Sequence, residues 1–364
     1  LYLRKITIKT LLYHSGGFFA LSYISLCLLV SIFAYVIAPD KSVNANQMHL
    51  SIHSQPPGFE VQMLHIPVDD RQINKSLKNL FYGDPNPGVY FPISSFIIEQ
   101  DGLWIEHFNF DTPGKKEWIP LHSFPKSTTK SALLSTYITT KKFLLGTDLF
   151  GRDVLSRLLI GTRVSLSIGF VAVLISLLVG LFLGSLGGYY GGTIDKVVMW
   201  IINVTWSIPT LLLVIAISVA LGKGFWQVFI AVGLTMWVEV ARIVRGQVIT
   251  LKNRQFVIAT RVLGFSSFRT LYRHILPNAL GPLVVITASN FAAAILVESG
   301  LSFLGIGAQP PIPTWGTMIK DHYQFLVMGK PYMALIPGLA IMLLVSSFMI
   351  LGNTLRDYYD PIKN

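Results

Sequence analysis

The chain reads as an all-α polytopic membrane protein of six transmembrane helices, with a small, mainly β insert on the extracytoplasmic side. Three observations predict this. Only 13% of the 364 residues are charged while 52% are hydrophobic, against about 25% charged in an ordinary soluble domain. Uncharged windows recur at 10–39, 164–194, 197–222, 224–238, 274–297, 299–319 and 331–355, and a span needs about 20 mostly apolar residues. Between the first two windows lies a polar stretch, 40–145, rich in strand and turn signals.

Residues 1–39 hold the first span, near 17–38. Arg4, Lys5 and Lys9 precede the apolar run, as in a signal peptide, but its length and its ending in "APDKSVNANQ" favour an uncleaved anchor. The chain's one cysteine, Cys27, lies in this run. It permits no disulfide within the chain and no cysteine-based metal site, so packing is its expected role.

The insert, 40–145, contains "ISSFIIEQDGLWIEHFNF", two β-rich runs around Gln100-Asp101-Gly102, which predict a hairpin. "YGDPNPG" and "DTPGKK" read as turns. From Asp40 to Lys142 there are 10 acidic and 10 basic residues, so the stretch is neutral. Two roles are open to it, binding a partner or decorating the loop.

The remaining core, 146–364, supplies spans near 163–187, 196–221, 225–244, 278–300 and 334–354. The window 299–319 contains "GIGAQPPIPTWG", too rich in Gly and Pro for a span and better read as a loop, re-entrant where protein covers it. Gly180, Gly184 and Gly188 recur every four residues, which predicts close backbone approach along one helix face. Asp148, Arg152 and Asp153, before the second span, suit a turn and helix cap. Glu239 and Arg242 are spaced for a local i,i+3 ion pair.

Charge sets the direction. Outside 40–142 there are 19 basic and 8 acidic residues, which is the whole net charge of +11. Arg242–Pro277 carries seven Lys/Arg and no acid, so this segment and both termini are expected in the cytoplasm, with the insert outside. Nucleic acid is excluded as a partner, because such a binder would cluster its bases on a polar domain.

The cytoplasmic stretch 245–277 reads as helix, glycine, helix. "RQFVIATRVLG" is a short helical piece stopped by Gly264. In "SSFRTLYRHI", Ser266 or Ser267 caps a second piece whose Phe268, Leu271, Tyr272 and Ile275 fall at i, i+3, i+4, i+7, one apolar stripe. Pro277 stands at the entrance to the next span. Two readings fit: an amphipathic helix lying on anionic lipid, or a docking element for a soluble partner.

Chemistry is sparse. No Ser/His/Asp or metal-ligand spacing emerges, the eight histidines are scattered, and no catalytic or metal residue is assigned. No GxxxxGK[ST] occurs; Gly222-Lys223 and Gly329-Lys330 lack the rest, so ATP binding by this chain is not expected. A self-contained secondary transporter would want an acid near the bilayer midplane and a repeated half, and neither is evident. A sensor would want a signalling domain inside, where only "RDYYDPIKN" remains. Glu298, near the end of the fifth span, is a functional or paired group inside the bundle, or else a snorkelling or capping residue.

Three motifs carry a family resemblance. "QFVIATRVLGFSSFRTLYRHILPNAL" resembles the cytoplasmic loop of ABC-importer permeases, Glu-Ala-Ala, then Gly, then Ile/Leu-Leu-Pro. "LGTDLFGRDVLSRLLIGTRVSLSIG" and "ESGLSFLGIGAQPPIPTWGTMI" resemble signatures of the C-type permease of the dipeptide/oligopeptide/nickel group, as do "WSIPTLLLVIA" and "WVEVARIVRGQV". The resemblance covers 145–360 and the first span. It implies the ABC type I importer permease core in a bacterial cytoplasmic membrane. The implied partners are a B-type permease, two ABC ATPases that hold the ATP and Mg, and an extracytoplasmic solute-binding protein. It makes 256–268 the coupling helix, with Phe256, Ala259, Thr260, Leu263, Gly264, Phe265, Phe268, Leu276 and Pro277 as the ATPase-coupling residues. Glu298 and Ser302, with Pro310 and Trp315 of the proline-rich loop, become candidates for pathway or gate; a plain connector is the rival reading of that loop. The cargo implied is a peptide or similar small solute, with nickel or another non-peptide solute as the alternative. Two departures stand out. The Glu-Ala-Ala triplet reads Ile258-Ala259-Thr260, without its acid, and the insert is longer than the linker usual in the group.

Overall fold

The computed structural model describes residues 15–67, 77–85, 87–110, 112–124, 136–222 and 224–359. The basic N-terminus with Arg4, Lys5 and Lys9, and Asn86 and Asp111 of the expected turns, lie outside them. The chain divides into two compact units: Leu1–Leu28, Ser165–Gln309 and Gly338–Asn364 form one, Leu29–Val164 and Pro310–Pro337 the other.

The helices are α1 Ser15–Ile37, α2 Leu77–Tyr82, α3 Val154–Tyr190, α4 Gly192–Trp206, α5 Thr210–Leu221, α6 Phe225–Lys252, α7 Gln255–Val262, α8 Ser267–Thr270, α9 Leu280–Phe303, α10 Trp315–His322 and α11 Tyr332–Tyr359. By length and composition five helical runs among the described residues suit a membrane span, and α4 with α5 would make a sixth.

That pair corrects an expectation. The sequence predicts one uninterrupted helix over 196–221, but α4 and α5 meet at 93°. Pro209 is the cause: it has no N–H to give the ladder, and its ring disfavours helical backbone at Ile208. The Ser207 N–H still bonds back to the Asn203 carbonyl at 3.0 Å, and a new helix starts after Pro209.

In the first unit the three spaced glycines line the crossing of α3 and α6. A Cβ on Gly180 would come within 2.5 Å of Val240 Cβ and 2.9 Å of the Trp237 carbonyl, and one on Gly188 within 2.8 Å of the Arg245 carbonyl. Small residues of this kind let two backbones touch where lipid gives no hydrophobic drive. Val198 and Ile202 of α4 pack on Trp237, Val238 and Ala241 of α6, and Asp195 takes Arg245 by two hydrogen bonds of 2.5 and 2.7 Å. Phe291 of α9 stacks on Phe348 of α11 at 4.2 Å between centroids.

In the second unit, β1 Phe59–Ile66, β2 Val89–Ile98, β3 Gly102–His107, β4 Lys116–Pro120 and β5 Ile138–Phe143 form an antiparallel sheet in the order β4-β3-β2-β1-β5. The β2–β3 hairpin turns at the expected residues, with Ile98 opposite Leu103. One face buries Leu64, Ile93, Leu103, Ile105 and Ile119, as period-two alternation requires. Both edge strands carry lysines, Lys116 on β4 and Lys141 and Lys142 on β5, which discourages pairing with another chain.

The loop before α3 behaves as a structural turn. Asp148 Oδ1 accepts from the Phe150 and Arg152 backbones at 2.8 and 2.9 Å, and its Oδ2 takes Arg152 Nε at 2.6 Å. Asp153 caps α3 by accepting the Ser156 N–H at 3.0 Å. The run 304–314 is not helical, as its glycines and prolines predict.

Candidate functional site

The most exposed apolar surface of the basic segment is a folded hairpin of short helices between α6 and α9. α7 ends in a Schellman motif: the Phe265 N–H reaches the Thr260 carbonyl and the Gly264 N–H reaches that of Arg261, both at 3.0 Å. This geometry needs left-handed backbone at Gly264, where φ is +75°, a region that a Cβ disfavours. Ser266 then caps α8, its side chain accepting the Arg269 N–H. Of the two candidate serines, the structure selects Ser266.

The two arms are pinned from inside. Thr260 and Thr270 are buried with their hydroxyls 3.2 Å apart. Val257, Ile275 and Ala279 pack with Val244 and Val248 of α6 and Leu283 of α9. At the rim, Lys252 Nζ donates to the Tyr189 carbonyl, and the Arg269 guanidinium lies 4.3 Å from the Phe265 ring centroid.

The expected single stripe is divided. Leu271 and Ile275 turn inward, whereas Phe268 and Tyr272 stack on each other outside, 6.0 Å apart. A π-helical turn over Leu271–Ile275 causes the split, because its wider i→i+5 bonding shifts every later side chain around the axis.

Among the expected coupling residues, Phe256, Ala259, Leu263, Gly264 and Phe268 are exposed, Phe265, Leu276 and Pro277 are partly covered, and Thr260 is buried. Sequence reading missed Val262, 82% exposed, and placed Tyr272 on the apolar stripe without counting it among the coupling residues. Val262 sits one helical turn after Ile258, so the spacing i, i+4 was the available signal. Ile258 is itself exposed, so its apolar side chain widens this face and fills no polar site within the chain.

The pathway candidates fall in different surroundings. Glu298 and Ser302 belong to the first unit, one turn apart on α9, fully enclosed, with Ser302 Oγ donating to Glu298 Oε1 at 2.6 Å. The burial removes the snorkelling reading of Glu298. Pro310 and Trp315 belong to the second unit. Pro310 is exposed, but Trp315 opens α10 and is buried, its Nε1–H donating to the Leu158 carbonyl at 3.1 Å. Thr314 and Thr317 form the capping box that starts this helix. Among the described residues no cluster of His, Cys, Asp and Glu could hold a metal.

The expected Glu239–Arg242 pair does not form. Arg242 instead donates to Asn203 Oδ1 at 3.1 Å and lies 3.6 Å over the Trp206 ring. The planar guanidinium satisfies itself better on an aromatic face and an amide than on an exposed carboxylate one turn away.

Residues 164–362, which include this hairpin, match the family described as binding-protein-dependent transport system inner membrane component. The chain belongs to that family. It is 38% identical over 244 residues to the oligopeptide transport system permease protein OppC of Bacillus subtilis, covering 67% of this chain and 80% of the relative. It is 41% identical over 217 residues to the glutathione transport system permease protein GsiD of Pectobacterium atrosepticum, covering 60% and 72%. A solved structure of the MetNI methionine ABC transporter overlaps it with a TM-score of 0.45 at 20% identity, over 56% of this chain and 96% of that one. The family match begins at residue 164, so the β-sheet lies outside it and inherits nothing from this inner membrane component family.

Proposed function

We propose that the chain is one of two permease subunits of an ATP-driven importer of peptides, forming half of the translocation pathway in a bacterial cytoplasmic membrane. One observation carries the reading: an apolar face of Phe256, Ile258, Val262, Leu263, Phe268 and Tyr272 stands exposed on a hairpin pinned to the ends of two long helices. Such a face in a basic, acid-free segment needs a partner with an apolar groove, and a rigid helix seated there passes on rigid-body motion. The partner is an ATPase that supplies ATP and Mg; this chain supplies no catalytic group. A B-type permease completes the pathway, a second ATPase the motor, and an extracytoplasmic binding protein delivers solute. Both termini and the 245–277 hairpin are cytoplasmic, on the basic side, and the β-sheet is extracytoplasmic. The relatives' names support peptides over nickel or another non-peptide solute as cargo.

The test is reconstitution of the full complex in liposomes with binding protein outside and ATP inside. Uptake of a radiolabelled dipeptide is expected, with none of radioactive nickel, and Gly264→Asp in this chain should abolish solute-stimulated ATPase activity while the complex remains in the membrane. Uptake of nickel alone would overturn the cargo, and wild-type coupling in Gly264→Asp would overturn the role of the hairpin.

A further inference from the structure

The break between α4 and α5 is exposed: Trp206 is 61% and Ile208 40% exposed. α4 has 15 residues and α5 has 12, and each falls short of the ~20 needed to cross a bilayer. Taken together as one span, the bent pair sets the break within its depth. Its backbone departs from the helical ladder, and no side chain caps the start of α5. Peptide groups without helical partners cannot face hydrocarbon; at membrane depth they must face protein or a water-filled cavity.

A cation stands at the same place. Arg242 reaches the break from α6, its guanidinium lying over the Trp206 ring with Nη2 on Asn203. Among the described residues no acid pairs with it. It lies about 15 Å along the helix from Lys252 and about 26 Å from Phe225 at a rise of 1.5 Å per residue. That places it near the cytoplasmic end of the fourth span, where a charged group faces the bundle interior, an aqueous cavity or the cytoplasmic interface, not hydrocarbon. Trp206 and Asn203 together hold the guanidinium in place, and a guanidinium can take a carboxylate by two parallel hydrogen bonds.

We infer that Trp206–Pro209 and Arg242 line the solute pathway, with the Arg242 guanidinium as the station that receives a carboxylate of the solute in transit. The inference rests on the importer reading above, deepens it to solutes bearing a free carboxylate, and uses a readout that does not depend on uptake.

The test places a cysteine at the exposed Ser207 (Ser207→Cys) in a Cys27→Ala background of the whole transporter, in native membranes. Its reaction is timed with two water-soluble methanethiosulfonates, one anionic and one cationic. Both should react, the anionic one roughly tenfold faster, because a positive cleft concentrates anions. Arg242→Gln should bring that ratio close to one, and Arg242→Lys, which keeps the charge, should retain most of it. A peptide with a free carboxylate, presented with the binding protein, should slow labelling, and its amidated analogue should not. Labelling only by a lipid-soluble reagent would overturn the pathway assignment. An unchanged ratio in Arg242→Gln would overturn the carboxylate station. Charge-dependent labelling with no peptide protection would leave a water-lined cationic site standing and overturn the peptide as its occupant.

Discussion

Gly184 of α3 lies directly against the Ala241 carbonyl of α6: a Cβ added at Gly184 would come within 2.5 Å of that oxygen. The obstacle is backbone, which cannot swing aside as a flexible side chain would. Gly184→Ala should therefore destabilise the protein by about 1–3 kcal/mol, the usual cost of overpacking. Gly246, also on α6, has open space where its Cβ would go, and Gly246→Ala should be neutral or stabilising by up to about 1 kcal/mol. Thermal unfolding in detergent distinguishes the two; equal effects would remove the tight crossing.

Gly264 presents the opposite situation. Nothing lies within 4 Å of a Cβ built there, and the only obstacle is its left-handed φ of +75°. Gly264→Ala should cost roughly 1–2 kcal/mol, and Gly264→Asn less, because Asn visits this region more readily. Solute-stimulated ATPase activity of the assembled transporter should rank glycine, then asparagine, then alanine. A better result for alanine than for asparagine would show that something other than the turn is at stake.

The Asp148–Arg152 pair, 2.6 Å between Oδ2 and Nε and almost fully buried, should be fragile when halved. Asp148→Asn leaves Arg152 buried with only the more distant Asp321 carboxylate, 3.8 Å from its Nη2, which should cost about 3 kcal/mol, the low end for a halved buried pair. Arg157 Nε, 3.6 Å from the same oxygen, adds to the loss. The double variant Asp148→Asn/Arg152→Gln should be less destabilised than the sum of the singles, as unfolding midpoints would show.

Acid should weaken the second unit in a defined window. Burial holds His49 at about 4, below the ordinary 6.5, and lowers His322 in the same direction. His322 is held neutral by burial and by Nε2, which accepts from the Leu149 N–H, whereas the Nδ1–H donated to the Met318 carbonyl at 2.7 Å works in the opposite direction. The unfolded chain takes up these protons as pH falls below 6.5, whereas folded His49 resists until about 4. Stability present above pH 6.5 is thus lost progressively down to about 4 and then levels off. Unfolding temperature measured across that range should fall, and His49→Gln should flatten the slope; a protein equally stable at both ends would contradict the burial argument.

The sequence by itself determined what depends on local pattern. Apolar windows located the long apolar helices, the Gln100-Asp101-Gly102 signal located the hairpin, Gly264 and the serine after it located the turn and cap, and the four-residue glycine spacing marked a close face. Each of these follows from neighbours along the chain. Tertiary structure decided what depends on distant partners. It broke the third span at Pro209, although the "WSIPTLL" run carried the signal, because apolar composition is blind to direction. It turned Ile275 inward and Tyr272 outward through a π turn that no periodicity foretells. It moved Arg242 from Glu239 to Trp206 and Asn203, since a guanidinium chooses among all groups within reach and not only those one helical turn away. Sequence names the residues able to bond; packing settles which of them meet.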